Sequence, residues 1–173
     1  MLSGMATDRA LSYLSGMGSL YDADFLLWSE QQAELLRRLA AGERVNDAVD
    51  WPNLIEEVGD LGRSELRAVE NLLDVGLRHL VLVHVAPRPE PVPHWRAKAR
   101  AALAGAARQV TPSMVARLDI EDLWRAAREF AADKLAADGG PAHPLPEACP
   151  FTAAELLNRH PDLDALLARL AAA

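Results

Sequence analysis

Between Asp50 and Val85 the chain carries a single proline, at position 52, and then four in close succession at Pro87, Pro89, Pro91 and Pro93. Proline is tolerated in a first helical turn and forbidden further in. Asp50-Trp51-Pro52 therefore predicts a capped start and Val85 a stop. The result is one helix of about 34 residues, roughly 50 Å long at the α-helical rise. Gly59 and Gly62 are the positions at which it can bend, because each costs up to about 1 kcal/mol against Ala. A helical wheel puts Leu54, Val58, Leu61, Glu65, Ala68, Leu72, Gly76, His79 and Val83 on one stripe. A second stripe, about 100° away, holds Leu66, Val69, Leu73, Leu77 and Leu80. A helix with two apolar faces packs on two sides, so its second half is expected at the centre of a bundle.

Composition agrees with a helical chain. The 173 residues include 32 Ala and 28 Leu against 16 of Val, Ile and Thr together, with 5% aromatics. Ala and Leu favour helices, and this balance argues against an all-β fold. The expected architecture is all-α: four main helices, the long one central, and a short C-terminal helical hairpin. Residues 1–20, with Gly4, Gly16 and Gly18, read as a flexible lead-in with one helical turn around Leu11 to Leu14. Residues 21–173 read as a single α-helical domain.

The remaining boundaries come from local chemistry. A first helix starts at Asp22 or Asp24 and stops at Gly42, with Arg37 and Arg38 in its last turns. Its stripe is Tyr21, Phe25, Trp28, Leu35 and Leu39. Pro87 to Pro93 reads as an extended connector. A third helix is expected from about His94 to Gln109. Thr111-Pro112 restarts a turn, and a fourth helix follows Asp119 and ends at Asp138-Gly139-Gly140-Pro141. Thr152-Ala153-Ala154-Glu155 has the pattern of a capping box, with Phe151 and Leu156 placed as its hydrophobic staple. His160-Pro161-Asp162 starts the last helix.

The net charge is −7 and uneven. Residues 43–74 hold nine acids and three bases, and residues 78–117 seven bases and one acid. Two neighbouring segments of opposite sign neutralise each other more readily than they bind nucleic acid, so no nucleic-acid partner is expected. The most apolar run, Leu72 to Ala86, is broken by Asp74, Arg78, His79 and His84, and no membrane span is expected. The N-terminus lacks a signal-peptide pattern, and one cysteine, Cys149, makes no internal disulfide; a cytoplasmic location fits.

Few residues point to chemistry. Glu65 and His79 are the polar residues within the first stripe of the long helix, and Glu65 is expected to be at least partly buried. They stand about 21 Å apart on a straight helix, so each needs a partner from elsewhere. Trp28, Trp124, Arg96 and Lys134 are the candidate donors to Glu65. Glu57 and Ser64 lie on one flank, and Asp24 is a further carboxylate that could join a site around Glu65 and His79. Ser64 has neither a glycine elbow nor a nearby histidine. No two histidines have the i, i+3 or i+4 spacing of a helix-borne metal site, and phosphate-loop, Cys-x-x-Cys and dinucleotide patterns are absent. No catalytic residue, metal or cofactor is assigned. Cys149 precedes the capping box with Pro150 between, outside the helix. The four tryptophans read as packing at helix ends.

The segments Tyr21-Asp22-Ala23-Asp24-Phe25-Leu26-Leu27-Trp28, Asp50-Trp51-Pro52-Asn53-Leu54-Ile55-Glu56-Glu57-Val58, Leu61-Gly62-Arg63-Ser64-Glu65, His79-Leu80, Trp95-Arg96 and Cys149-Pro150-Phe151-Thr152 resemble the bacterial family catalogued as domain of unknown function 29. The resemblance spans about residues 20–158. It implies a small α-helical bacterial protein and no assigned activity. The functional expectation is a non-enzymatic cytoplasmic module working through a protein partner or a homodimer. The competing expectation is an enzyme or metal-binding protein with a site assembled between helices around Glu65 and His79.

Overall fold

The computed structural model describes residues 19–86, 91–138 and 144–173. The lead-in read at residues 1–20 thus lies, up to residue 18, outside the described residues, as do Pro87 to Glu90 of the proline connector and Gly139-Gly140-Pro141. Among the described residues there are eight α-helices and no strand. They are α1 (Leu20–Ala23), α2 (Phe25–Ala40), α3 (Trp51–Val85), α4 (Val92–Gln109), α5 (Pro112–Val115), α6 (Ile120–Ala137), α7 (Ala153–Leu156) and α8 (Leu163–Ala172), with a 3-10 turn at Asn46–Ala48. The fold is all-α with one long helix. Contacts group the chain into two compact units, Met1–Leu61 and Gly62–Ala173.

In the first unit, the Asp24 carboxylate accepts the Leu27 backbone N–H at 3.0 Å and caps α2. The stop is a Schellman motif. Gly42 adopts φ 88°, its N–H reaches Leu39 O at 2.9 Å, and the Glu43 N–H reaches Arg38 O at 3.0 Å. The Arg38 guanidinium then pairs with Glu43 across the turn at 2.8 Å. Among the described residues of this unit, Trp28 and Val49 are the buried hydrophobic ones, and Gln32 is buried as well.

The second unit holds the main core. Val69, Leu73, Leu77, Leu80, Val81, Leu82 and Val85 of α3 are buried, together with Ala99, Ala102, Leu103, Ala106 and Ala107 of α4. The small residues on α4 let the two helices approach closely. A Cβ placed on Gly76 would lie 2.6 Å from Leu103 Cδ2 and 2.8 Å from Leu103 Cγ, so the position requires glycine for space. The α6 residues Trp124, Ala127, Ala131 and Leu135 join the same core, as do Leu163, Leu166 and Leu170 of α8. Arg96 and Arg100 of α4 fasten α8, one pairing with Asp164 at 2.5 Å and the other donating to Pro161 O at 3.1 Å.

Two expectations need correction. The core of α3 is built from the second stripe. Val58, Leu61 and Glu65, in the middle of the first, are exposed, at 63% and 68% for Val58 and Leu61. Both stripes are largely apolar, and which one is buried depends on the neighbouring helix. The third long helix begins at Val92 rather than His94, because Pro93 sits in its first turn, where the missing N–H has no partner to lose.

Candidate functional site

The polar side chains of the first unit converge on Asp50. Its carboxylate accepts the Trp28 indole N–H at 3.0 Å and the Asn53 amide at 2.7 Å, while its backbone N–H donates to Gln32 Oε1 at 2.8 Å. The Asn53 side chain, the Trp28 indole and the Asn53 backbone N–H hold the Asp50 carboxyl below the usual carboxylate range, against an opposing desolvation. Asp50 is thus both the start of α3 and the post to which α2 is tied. The indole of Trp51 donates separately to Asn46 O at 3.1 Å.

Tyr21, Phe25 and Trp28 form an aromatic cluster one turn apart. The Tyr21 ring meets Trp28 edge-on at 4.9 Å, and Phe25 stacks on Trp28 at 5.4 Å. The Tyr21 hydroxyl donates to Glu57 Oε1 at 2.5 Å. The hydrogen bond to Glu57, aided by desolvation and by the charges of Glu57, Glu56 and Asp60, pushes the Tyr21 phenol up to about 12. A phenol so protected stays neutral at physiological pH and serves as a hydrogen-bond donor, not a base.

In the second unit the Cys149-Pro150-Phe151-Thr152 segment is held from several sides. Trp124 Nε1 donates to Pro146 O at 3.0 Å, Arg128 to Glu147 O at 2.9 Å and Arg169 to Pro150 O at 2.5 Å, while Glu121 accepts the Cys149 N–H at 2.9 Å. The capping box is formed, and Glu155 is further paired with Arg169 at 2.7 Å. The backbone and hydroxyl of Thr152, then Arg169, lower the Glu155 pKa. Burial, reinforced by the charges of Glu121 and Glu155, raises the Cys149 thiol. That is the environment of a structural cysteine.

The candidate residues read from the sequence do not gather in one place. Asp24 is a helix cap. Glu57 holds Tyr21. Ser64 and Glu65 are exposed. The four candidate donors to Glu65 are engaged elsewhere: Trp28 with Asp50, Trp124 with Pro146, Arg96 with Asp164 and Lys134 with Asp138. His79 is partly exposed, its Nδ1 lying 2.7 Å from Val75 O one turn back on its own helix. Among the described residues no three His, Cys, Asp or Glu side chains stand where they could hold a metal ion, and no helix is long and apolar enough to cross a membrane. The residues missed were Gln32 and Tyr21. Gln32 was legible as a polar residue four positions after Trp28 on an otherwise apolar stripe. Tyr21 gave no such signal, since an apolar ring suits that stripe.

These features define an all-α protein in which hydrogen-bonded polar residues such as Asp50, Gln32 and Glu57 anchor one helix to another. The chain belongs to the family described as "Domain of unknown function DUF29", which matches residues 20–160. It is similar to an α-helical protein of unknown function from Rhodospirillum rubrum, known from a crystal structure. The two are 32% identical, the match covers 88% of this chain and 98% of that one, and the TM-score is 0.67. No curated protein matches.

Proposed function

We propose that the chain is a non-enzymatic bacterial, cytoplasmic module that binds a protein partner through the apolar face of its first unit. One observation carries this reading. Among the described residues ten large hydrophobics are strongly exposed, and eight of them lie between residues 25 and 61: Phe25, Leu26, Leu27, Leu36, Trp51, Ile55, Val58 and Leu61. Scattered single exposures are ordinary, but a concentration of this kind marks an interaction surface.

The test uses the full chain at low micromolar concentration. It is expected to bind an environment-sensitive apolar dye. The Ile55→Gln, Val58→Gln double variant should lose most of that signal while unfolding in urea within about 1 kcal/mol of the parent, since exposed positions tolerate substitution. A monomeric parent that binds no dye, or a double variant destabilised as a core truncation would be, by roughly 2 kcal/mol or more per site, overturns the reading.

A further inference from the structure

We propose that the partner of the first unit is a basic amphipathic helix of another protein, whose apolar stripe packs on Trp51, Ile55 and Val58 and whose lysines and arginines meet the unit's excess of carboxylates. This rests on the docking reading above and adds the chemistry of the occupant. The three residues are spaced four and three positions apart, so they form one stripe along two turns of α3. All three are exposed, Ile55 at 68%. A stripe of this spacing receives the side chains that a second helix presents at i, i+3 and i+4. A strand finds no comparable foothold. The unit is built of helices, whose backbone groups bond within themselves, and among the described residues there is no sheet edge to extend.

Charge selects the occupant. Residues 1–61 hold 11 acids and 4 bases, and residues 62–173 hold 14 of each, so the whole net charge of −7 lies in the first unit. Its own bases do not remove the imbalance. Arg37 is already paired with Glu34 and Arg38 with Glu43. Glu30, Asp47 and Glu56 are exposed and have no hydrogen-bond or ion-pair partner among the described residues. At physiological salt the Debye length is about 8 Å, close to the width of a helix at about 10 Å, so these carboxylates act on whatever lies along the apolar stripe. A second copy would bring its own −7 to the contact and be repelled. The headgroups of an anionic membrane would be repelled in the same way. A neutral apolar helix would gain the packing without the attraction. A basic amphipathic helix gains both: apolar contact holds it, and charge steers its approach and rejects acidic competitors.

The experiment measures binding of two synthetic helical peptides to the full chain by fluorescence anisotropy at about 0.15 M salt. Each peptide is about 18 residues long, about five turns, with leucine along one face. The other face carries lysine in the first peptide and glutamate in the second. The lysine peptide should bind at micromolar concentration, and the glutamate peptide about tenfold more weakly or worse. Glu30→Lys, Asp47→Lys and Glu56→Lys together take the unit from −7 to −1, two charges per reversal, and should weaken the lysine peptide about tenfold. The Ile55→Gln, Val58→Gln variant keeps the charge and should weaken it about tenfold as well. Circular dichroism checks that both variants keep their helix content, and the comparison of the two peptides on the parent needs neither variant. Equal binding of the two peptides, or binding of the lysine peptide that ignores either variant, overturns the inference. A parent that binds the apolar dye and neither peptide also overturns it and leaves the docking reading standing. A parent that dimerises through the same stripe, as shown by a monomeric Ile55→Gln, Val58→Gln variant in light scattering, makes the occupant a second copy and overturns it. Capture of the chain by anionic phospholipid vesicles, lost in that variant, makes the occupant a membrane and overturns both readings. So does a monomeric parent that binds neither dye nor peptide.

Discussion

The Tyr21 hydroxyl and the Glu57 carboxylate meet at 2.5 Å across 36 residues of sequence, tying the first helical turn of the described chain to the early part of α3. The bond favours the protonated phenol in the folded state, and this has a sign in pH. A group that binds its proton more tightly when folded stabilises the fold below its unfolded pKa, and that contribution is lost as pH rises through the folded value. For Tyr21 the window runs from the ordinary value of 10.0 up to about 12. The chain has two tyrosines, Tyr13 and Tyr21. In a Tyr13→Phe variant, phenolate absorbance should rise near 12, and adding Glu57→Gln should bring it back towards 10. A midpoint near 10 in the first variant would mean that the Tyr21–Glu57 bond does not form in solution.

Asp50 combines a helix cap with an indole acceptor. Asp50→Ala should cost about 1–2 kcal/mol, the upper range for loss of a cap, because the Trp28 N–H also loses its partner. Asp50→Asn keeps a capping oxygen and should cost less. The lowered carboxyl pKa adds a pH signature: the stabilisation is present above the unfolded value near 3.8 and is lost as pH falls through the folded value. Urea melts of parent and Asp50→Asn should therefore converge as the pH is lowered into the acid range. Parallel melts at every pH would show that the carboxylate has no special environment.

Two glycines on the same helix should respond oppositely. Gly76→Ala pushes a methyl into Leu103, which is fully buried and has little room to yield. Overpacking of this kind costs about 1–3 kcal/mol, and the better helix propensity of Ala returns up to about 1 kcal/mol of it. Gly62→Ala meets open space and should raise the stability of the dilute chain by up to about 1 kcal/mol. Thermal melts at low concentration decide the matter. Equal effects of the two substitutions would contradict the packing described around Gly76.

Helix ends were legible in the sequence because they are local. Asp24, Asp119, Thr152 and Asp162 each accept a backbone N–H two or three residues on, and each announces itself by residue type alone. The boundaries of α3 were legible for the same reason, from Asp50 and the prolines. Which of its two stripes is buried was not, since both are apolar and the choice belongs to α4 and its small residues. The same limit hid the anchors. Trp28 to Asp50 spans 22 residues, Gln32 to Asp50 spans 18, and Tyr21 to Glu57 spans 36. Spacing on one helix carries no information about such pairs.

Glu65 is the residue whose role changes most with the choice of stripe. Read on the wheel, it sits among Leu61, Ala68 and Leu72 and looks like a buried carboxylate in need of a donor. In the folded chain it is exposed, and it has no hydrogen-bond or ionic partner among the described residues. A buried, paired glutamate would make Glu65→Gln costly, by roughly 1–3 kcal/mol, through the unpaired group left behind. An exposed one leaves nothing unpaired. Glu65→Gln and Glu65→Leu should both unfold in urea within about 0.5 kcal/mol of the parent, the range for surface substitutions away from special features. The Leu variant should also bind more apolar dye, because it extends the uncovered face beyond Leu61. A loss of roughly 2 kcal/mol or more in the Gln variant would place Glu65 in a buried network, and the first stripe would have to be covered after all.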